Sequence, residues 1–354
     1  MSYFNDWAMR VMRLADPETA HRLAVKALAL GLAPTLPPPP RILATQGFGR
    51  ELTSPLGVAA GLDKGGEAIA PLLRMGASFI EIGAVTPKPQ PGNPKPRLFR
   101  LTKDQAVINR FGFNSEGHAV VAERLRLFRR YSRLAGGVVG VNLGVNKDST
   151  DPQGDYAAGV QAFAANADFV TVNVSSPNTA GLRDLQQEES LRAIVEAARD
   201  ARDLANSRCS LMVKLAPDLS DAAAASLVEQ LTKTGAVDGW IVSNTTIARP
   251  ATLQSPGARE VGGLSGPPVF ERSTDLVRLV WQASGGGFIV GAGGIDSGAS
   301  AYAKIRAGAS LLQLYTAMVY QGPQVIARVE AELADLLAAG GFASVQAAVA
   351  ADHR

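Results

Sequence analysis

The chain has 354 residues, long for one ordinary domain, yet a single barrel commonly runs to roughly 250 residues before additions, so length alone does not separate one domain from two. Hydrophobic residues make up 46% and charged residues 19%, with 36 glycines and 21 prolines, which excludes a disordered chain and suits a packed α/β protein with tight loops. The formal charge of +3 comes without a long Lys/Arg block, which argues against a nucleic-acid partner, and a single cysteine, Cys209, excludes an intramolecular disulfide and points to a reducing compartment.

The first forty residues differ from the rest. Tyr3, Phe4, Trp7, Val11 and Leu14 recur at helical spacing, and Asp16 is placed to cap a second helix that begins with Pro17. That helix carries Leu23, Ala24, Ala27 and Leu28 on an apolar side. Neither helix is long enough to cross a bilayer, and the charges within them argue against a cleaved signal peptide. Pro37 to Pro40 read as a stiff linker, dividing residues 1–40 from 41–354. The residues alone fit two roles for the helices: padding for the main domain, or an interfacial membrane anchor.

From Ser54 onward short β-rich runs alternate with helical segments. The runs are LGVAAG, SFIEIGA, GVVGVNLG, DFVTVNVS, LMVKLAP, GWIVSNT, FIVGAGG and LLQLYT. Strict alternation of about eight units implies a parallel sheet, and this number favours a closed (β/α)8 TIM barrel over an open doubly wound sheet. Two loops, one after the second strand and one after the sixth, are too long for plain connections and read as lids over the barrel mouth.

What ends each strand is informative, because barrel active sites are built at that face. The ends carry Lys64, Asn142, Asn173, Lys214, Asn244 with Thr245, the glycines of GAGGID, and Tyr315 with Thr316. One such residue is an ordinary turn or surface residue; donors and acceptors at nearly every strand end describe a site for a large, multiply hydrogen-bonding ligand. GAGGIDSG, before a helix starting near Ser297, suits a phosphate. His118 falls on a helix and reads as a surface residue rather than a base.

AAGLDK, PKPQPGNPKPR, INRFGFNS, NVSSPNT, VKLAPD, SNTT, GGLSG, GAGGI and QLYT, in this order, together with DPETAHRLA near the N-terminus, span nearly the whole chain. In these motifs the chain resembles the membrane-associated, quinone-dependent class of dihydroorotate dehydrogenases. The resemblance implies an FMN-bound barrel that oxidises (S)-dihydroorotate to orotate and passes electrons to a membrane quinone, as a peripheral protein on the cytoplasmic face of a bacterial cell membrane. It makes Ser176 the general base, with Thr179 and a water as relay and Phe113 as shield. Ser175 alternates to the other side of the strand end. The soluble classes of the family use a cysteine base where this chain has Ser176.

By the same resemblance substrate falls to Lys64, Asn109, Arg110, Phe111, Gly112, Phe113, Asn173, Asn178, Asn244 and Thr245, with Asn114 alongside. FMN falls to Ala60, Gly61, Leu62, Asp63, Lys64, Ala84, Asn142, Asn173, Lys214, Ser243, Gly266, Gly293, Gly294, Tyr315 and Thr316. Lys214 has an electrostatic role, since a cation near the flavin N1 and O2 edge stabilises the reduced ring. Ala84 stands where relatives often have Thr or Ser, and Ser243 where Thr is frequent, so each implies a flavin hydrogen bond lost or weakened. His21, Arg100 and Tyr315 fall at the polar end of a quinone tunnel, which turns the N-terminal helices toward the anchor role. The residues also fit an aldolase with a Schiff base on Lys214, or a non-catalytic lipid-surface or flavin-storage protein.

Overall fold

A computed structural model describes residues 15–32, 34–134, 136–179, 182–186, 188–205 and 208–354. The expected first helix, with Tyr3 to Leu14, lies outside the described residues. The strands in chain order are β1 (Thr45–Gly47), β2 (Arg50–Leu52), β3 (Leu56–Val58), β4 (Phe79–Val85), β5 (Leu98–Leu101), β6 (Ala106–Asn109), β7 (Val138–Leu143), β8 (Phe169–Val172), β9 (Ser210–Leu215), β10 (Gly239–Val242), β11 (Gly263–Ser265), β12 (Ile289–Ala292) and β13 (Leu311–Leu314). β3, β4, β7, β8, β9, β10, β12 and β13 form a closed barrel, sealed where Leu312 of β13 pairs with Leu56 of β3. Every neighbouring pair around it is parallel. The barrel reading of the sequence is borne out.

The strands read as near-continuous apolar runs because both faces are buried, one by helices and one by the barrel interior. Inward residues recur every second position. At the N-terminal end they are large: Phe79, Phe169, Met212 and Leu311 pack into one cluster with Phe48, which the β1–β2 hairpin inserts as a plug. Phe48 stacks on Phe169 with ring centroids 4.0 Å apart. Space comes from glycine: a Cβ at Gly140 would meet the Phe169 ring at 2.0 Å, and one at Gly57 the Phe79 ring at 2.6 Å.

The two long loops are not loose lids. The first forms β5 and β6, the second forms β11, and together they make an antiparallel sheet in which Asn109 pairs with both Leu98 and Gly263. Their shared core of Leu101, Ala106, Ile108, Leu264 and Val269 fixes them over the barrel rim.

The helix Pro17–Ala29 is capped as its sequence predicts, with the Asp16 carboxylate accepting from the Thr19 N–H at 2.9 Å. It docks through Glu18, which accepts from Arg97 Nε and Nη2 at 3.0 and 2.9 Å, with Lys95 at 3.3 Å. Burial works against the Glu18 charge, but the Arg97 hydrogen bonds and charge outweigh it and hold the carboxyl below its usual range. Leu23, expected on the apolar side, is 51% exposed, because Val25 instead turns into the core while Ala24, Ala27 and Leu28 face the mouth. Among the described residues no helix is long and apolar enough to cross a membrane.

Candidate active site

A cavity of about 480 Å3 opens at the C-terminal end of the barrel and runs out under the Pro17–Ala29 helix. Its floor is the polar layer two residues beyond the aromatic plug. Glu81 on β4 is fully buried there and accepts from Asn142 Nδ2 at 2.7 Å and Gln313 Nε2 at 3.0 Å, with Lys214 Nζ at 3.7 Å. Sequence reasoning misses Glu81 and Gln313. Their signal is a charged or amide residue at inward parity inside the apolar runs FIEIGAV and LLQL.

Asn142 Oδ1 in turn accepts from Asn173 Nδ2 at 2.7 Å, and Asn173 Oδ1 accepts from the Ser175 hydroxyl at 3.0 Å and from Asn244 Nδ2 at 3.2 Å. Ser175 is fully buried in this belt, whereas Ser176 lines the cavity, its Oγ accepting from the Asn178 N–H at 3.3 Å. The two serines thus face opposite ways. Arg183 holds the turn from outside, donating to the carbonyls of Ser175 and Thr245 at 3.2 Å each.

Above the floor the RFGFN turn closes one wall. Gly112 and Phe113 both have positive φ, +68° and +54°. For a phenylalanine that conformation is uncommon, and Gln90 Nε2 fastens it by donating to the carbonyls of Gly112 and Phe113 at 3.3 and 2.9 Å. Asn93 Nδ2 donates to the Arg110 and Asn178 carbonyls, tying this loop to the one bearing Ser176. Asn178 Nδ2 donates to Asn109 Oδ1 at 3.1 Å.

Lys64 enters from the third side. Its ammonium donates to the Gly61 carbonyl at 2.8 Å and sits 4.2 Å from the Phe111 ring centroid. Burial pushes its pKa down to about 8, an effect that the nearby charges of Glu18 and Asp63 oppose. Among the described residues it forms no salt bridge. Among the described residues Asn114 Oδ1, Asn178 Oδ1 and Gln313 Oε1 are buried without a protein partner, and with Lys64 they line the cavity. Such orphaned acceptors call for donors on a ligand.

Under the Pro17–Ala29 helix the cavity is apolar, walled by Ala20, Ala24, Ala27, Leu28 and Leu32, and it ends at His21, Arg100 and Tyr315. The Tyr315 hydroxyl lies 3.2 Å from His21 Nδ1. Burial, assisted by the Lys64 charge, drops the His21 pKa to about 3, and burial raises that of Tyr315, so at neutral pH this is a phenol beside a neutral imidazole. Arg100 donates to the Ala15 carbonyl.

The cavity therefore brings together Ala60, Gly61, Leu62, Lys64, Ala84, Asn109, Phe111, Gly112, Phe113, Asn142, Asn173, Ser176, Asn178, Lys214, Ser243, Asn244, Thr245, Gly266, Gly293, Gly294, Tyr315 and Thr316. Three expected residues stay out of it, Arg110, Asp63 and Thr179. Arg110 turns outward, donating to Glu260 at 2.8 Å and stacking on Phe99 with its guanidinium 4.4 Å from the ring centroid. Asp63 turns inward, its carboxylate accepting from the Glu67 and Ala68 N–H groups at 2.8 and 2.7 Å. Thr179 does not line the cavity, and among the described residues its Oγ1 has no protein partner. His118 is buried rather than on the surface, edge-on to Phe163, with its pKa lowered to about 4 by burial. Cys209 is buried just before β9, at the far end from the mouth, its thiol pushed up to about 12 by burial.

The sequence model of the dihydroorotate dehydrogenase family matches residues 42–337. The chain belongs to this family. Within it the similarity is to the quinone-dependent class: 49% identity to a dihydroorotate dehydrogenase (quinone) of Parvibaculum lavamentivorans, over 98% of this chain and 97% of that one. A Rhodospirillum rubrum enzyme of the same description is 50% identical over 96% of this chain and 92% of its own. The mitochondrial one of Mus musculus is 45% identical over 97% and 89%. A crystal structure of the Eimeria tenella dihydroorotate dehydrogenase in complex with ferulenol superposes with a TM-score of 0.92 at 42% identity, covering 96% of each chain. As a quinone-dependent member of the family the protein is an oxidoreductase, and the aldolase and storage readings fall.

Proposed function

We propose that this cavity is where the protein oxidises (S)-dihydroorotate to orotate, in pyrimidine synthesis, with FMN as its bound redox group and a membrane quinone as acceptor. The observation that carries the reading is Lys64: a buried ammonium that pairs with no carboxylate among the described residues, in one cavity with a ring of side-chain amides and the Ser176 hydroxyl. Orotate presents a carboxylate and a pyrimidine-dione edge, and an ammonium beside amides is what these need.

The chain's residues divide the work by position. Lys64 holds the carboxylate. Asn109, Asn178, Asn244 and Thr245 supply donors and acceptors to the dione edge. Ser176 takes the C5 proton, and because a serine hydroxyl is a weak base, its proton leaves through a water toward Thr179. Phe113 keeps bulk water from this exchange. Asn142, Asn173, Lys214, Ser243 and Gln313 would hold the flavin ring, with Gln313 Oε1, unpartnered among the described residues, suited to a ring N–H. Gly266, Gly293, Gly294 and Thr316 take the phosphate end; Gly293 and Gly294 have φ of +96° and +75°, and a Cβ at Gly294 would meet Phe270 at 2.5 Å, so glycine is required for the turn. FMN, when bound there, would supply the acceptor for the hydride that leaves C6 of the substrate.

The apolar arm under the Pro17–Ala29 helix suits the quinone, whose carbonyls meet His21, Arg100 and Tyr315 at its polar end. Leu23 on that helix and Leu30 and Leu32 just past its end, exposed by 51%, 79% and 73%, give the segment an apolar edge at the cavity's opening for the membrane surface. Residues 1–40 thus act as anchor and funnel, on the cytoplasmic face of the cell membrane. Anaerobic addition of dihydroorotate is expected to bleach the bound flavin, and a quinone to restore its colour. Vesicle flotation is expected to fail for the chain lacking residues 1–40; unchanged flotation would remove the anchor.

A further inference from the structure

Glu81 interrupts an apolar strand, is fully buried and does not itself line the cavity. Paired with Lys214, it is a carboxylate that only accepts hydrogen bonds. Asn142 must therefore present its NH2 group to Glu81, at 2.7 Å, which leaves its oxygen for Asn173 Nδ2. Asn173 is then left with an oxygen, which accepts from the Ser175 hydroxyl and N–H and from Asn244 Nδ2. Asn244 keeps an oxygen that accepts from the Thr245 N–H at 2.8 Å. On the opposite flank Gln313 must also turn its NH2 to Glu81, which leaves its oxygen unpartnered. A side-chain amide has nearly the same shape after a half-turn, so shape does not choose between its two orientations. The chain of donors needs an acceptor-only group at its end.

We propose that Glu81 is a positioning residue that sets the donor–acceptor polarity of the amides Asn142 and Gln313, in register with Asn173 and Asn244, whose oxygens the Ser175 and Thr245 N–H groups also hold, and so the pattern shown to the ligands. The contacts to flavin and substrate rest on the function proposed above; the polarity itself does not. Glu81→Gln keeps the shape but adds an NH2. With its oxygen toward Gln313, Lys214 and the Ala60 N–H, which lies 3.4 Å from Glu81 Oε2, that NH2 faces Asn142, which must turn and oppose Asn173 donor to donor. Asn142→Asp in the same chain supplies an oxygen to both neighbours and restores the order from Asn173 onward. Asn142→Asp alone sets two carboxylates against each other.

The test is a double-mutant cycle read by orotate affinity in the flavin-loaded protein and by melting temperature without flavin. Glu81→Gln is expected to weaken orotate about tenfold, the scale of losing one or two neutral hydrogen bonds, and the double variant is expected to bind more tightly than either single one. Equal affinity in Glu81→Gln and the native chain overturns the proposal, as does a double variant no better than the worse single one. If Glu81→Gln does not fold, a folded double variant supports the proposal and an unfolded one overturns it. A native chain whose flavin dihydroorotate fails to bleach defeats the proposed function instead, and the melting cycle still decides the polarity.

Discussion

Two layers of the barrel interior lie one inward position apart on the same strands. β4 presents Phe79 and then Glu81, β9 presents Met212 and then Lys214, and β13 presents Leu311 and then Gln313. The lower layer is filled by aromatic and aliphatic side chains, sealed by Phe48 from the hairpin; the upper is an ordered set of charges and amides. The backbone geometry is shared, so the difference lies in chemistry alone. The lower layer secures the fold through contact area, and the upper layer gives up that area for directed polar groups with orphaned acceptors.

The comparison predicts that changes in the two layers separate by readout. Ser176→Ala, at the mouth, is expected to slow flavin reduction by dihydroorotate by about 10²- to 10⁴-fold, the usual worth of a positioned proton acceptor, with melting temperature unchanged. Equal reduction rates in anaerobic stopped flow would remove Ser176 as the base. Phe169→Ala, below, is expected to cost about 3–5 kcal/mol of stability by denaturant unfolding. A loss of rate in the surviving folded fraction would break the separation.

A smaller effect concerns pH. Lys64 must be protonated to hold a carboxylate, and its pKa in the folded chain is about 8 rather than 10.5 because burial penalises the charge. Orotate affinity is therefore expected to be level below pH 8 and to fall about tenfold per unit above it. A titration flat to pH 10 contradicts this. The smallest effect is expected of Arg110→Ala. Its side chain pairs with Glu260 outside the cavity, so orotate affinity should change less than about twofold, in line with the small worth of half-exposed ion pairs.

The barrel was legible because its strands are buried on both faces and read as apolar runs punctuated by polar ends, and each of the quoted runs carries one barrel strand. The site was legible to the same depth, since strand ends are written in sequence. Less so was anything set by where a side chain turns. Arg110 and Asp63 stand beside site residues in the chain, yet one swings out to Glu260 and the other caps a local turn. His118 looked exposed because it opens a charged helix, but the first turn packs against Phe163. Glu81 was hidden by its neighbours: within FIEIGAV a single acid looks like an exception, and only barrel closure brings Asn142, Lys214 and Gln313 around it. The rim sheet of β5, β6 and β11 was equally invisible, because its strands come from loops more than a hundred residues apart.

The Glu18–Arg97 pair gives the N-terminal helix a second employment. Glu18 props up the Lys64 charge from a distance, whereas Arg97, once unpaired, presses against it through the Phe111 ring they share. Glu18→Gln removes the carboxylate that Arg97 and Lys95 share and leaves a buried Arg97 cation near the Lys64 ammonium, and removing one partner of a buried pair typically costs about 3–5 kcal/mol. The pH at which orotate lets go should then move below 8. The N-terminal helix is in this sense part of the electrical ground of the pyrimidine site.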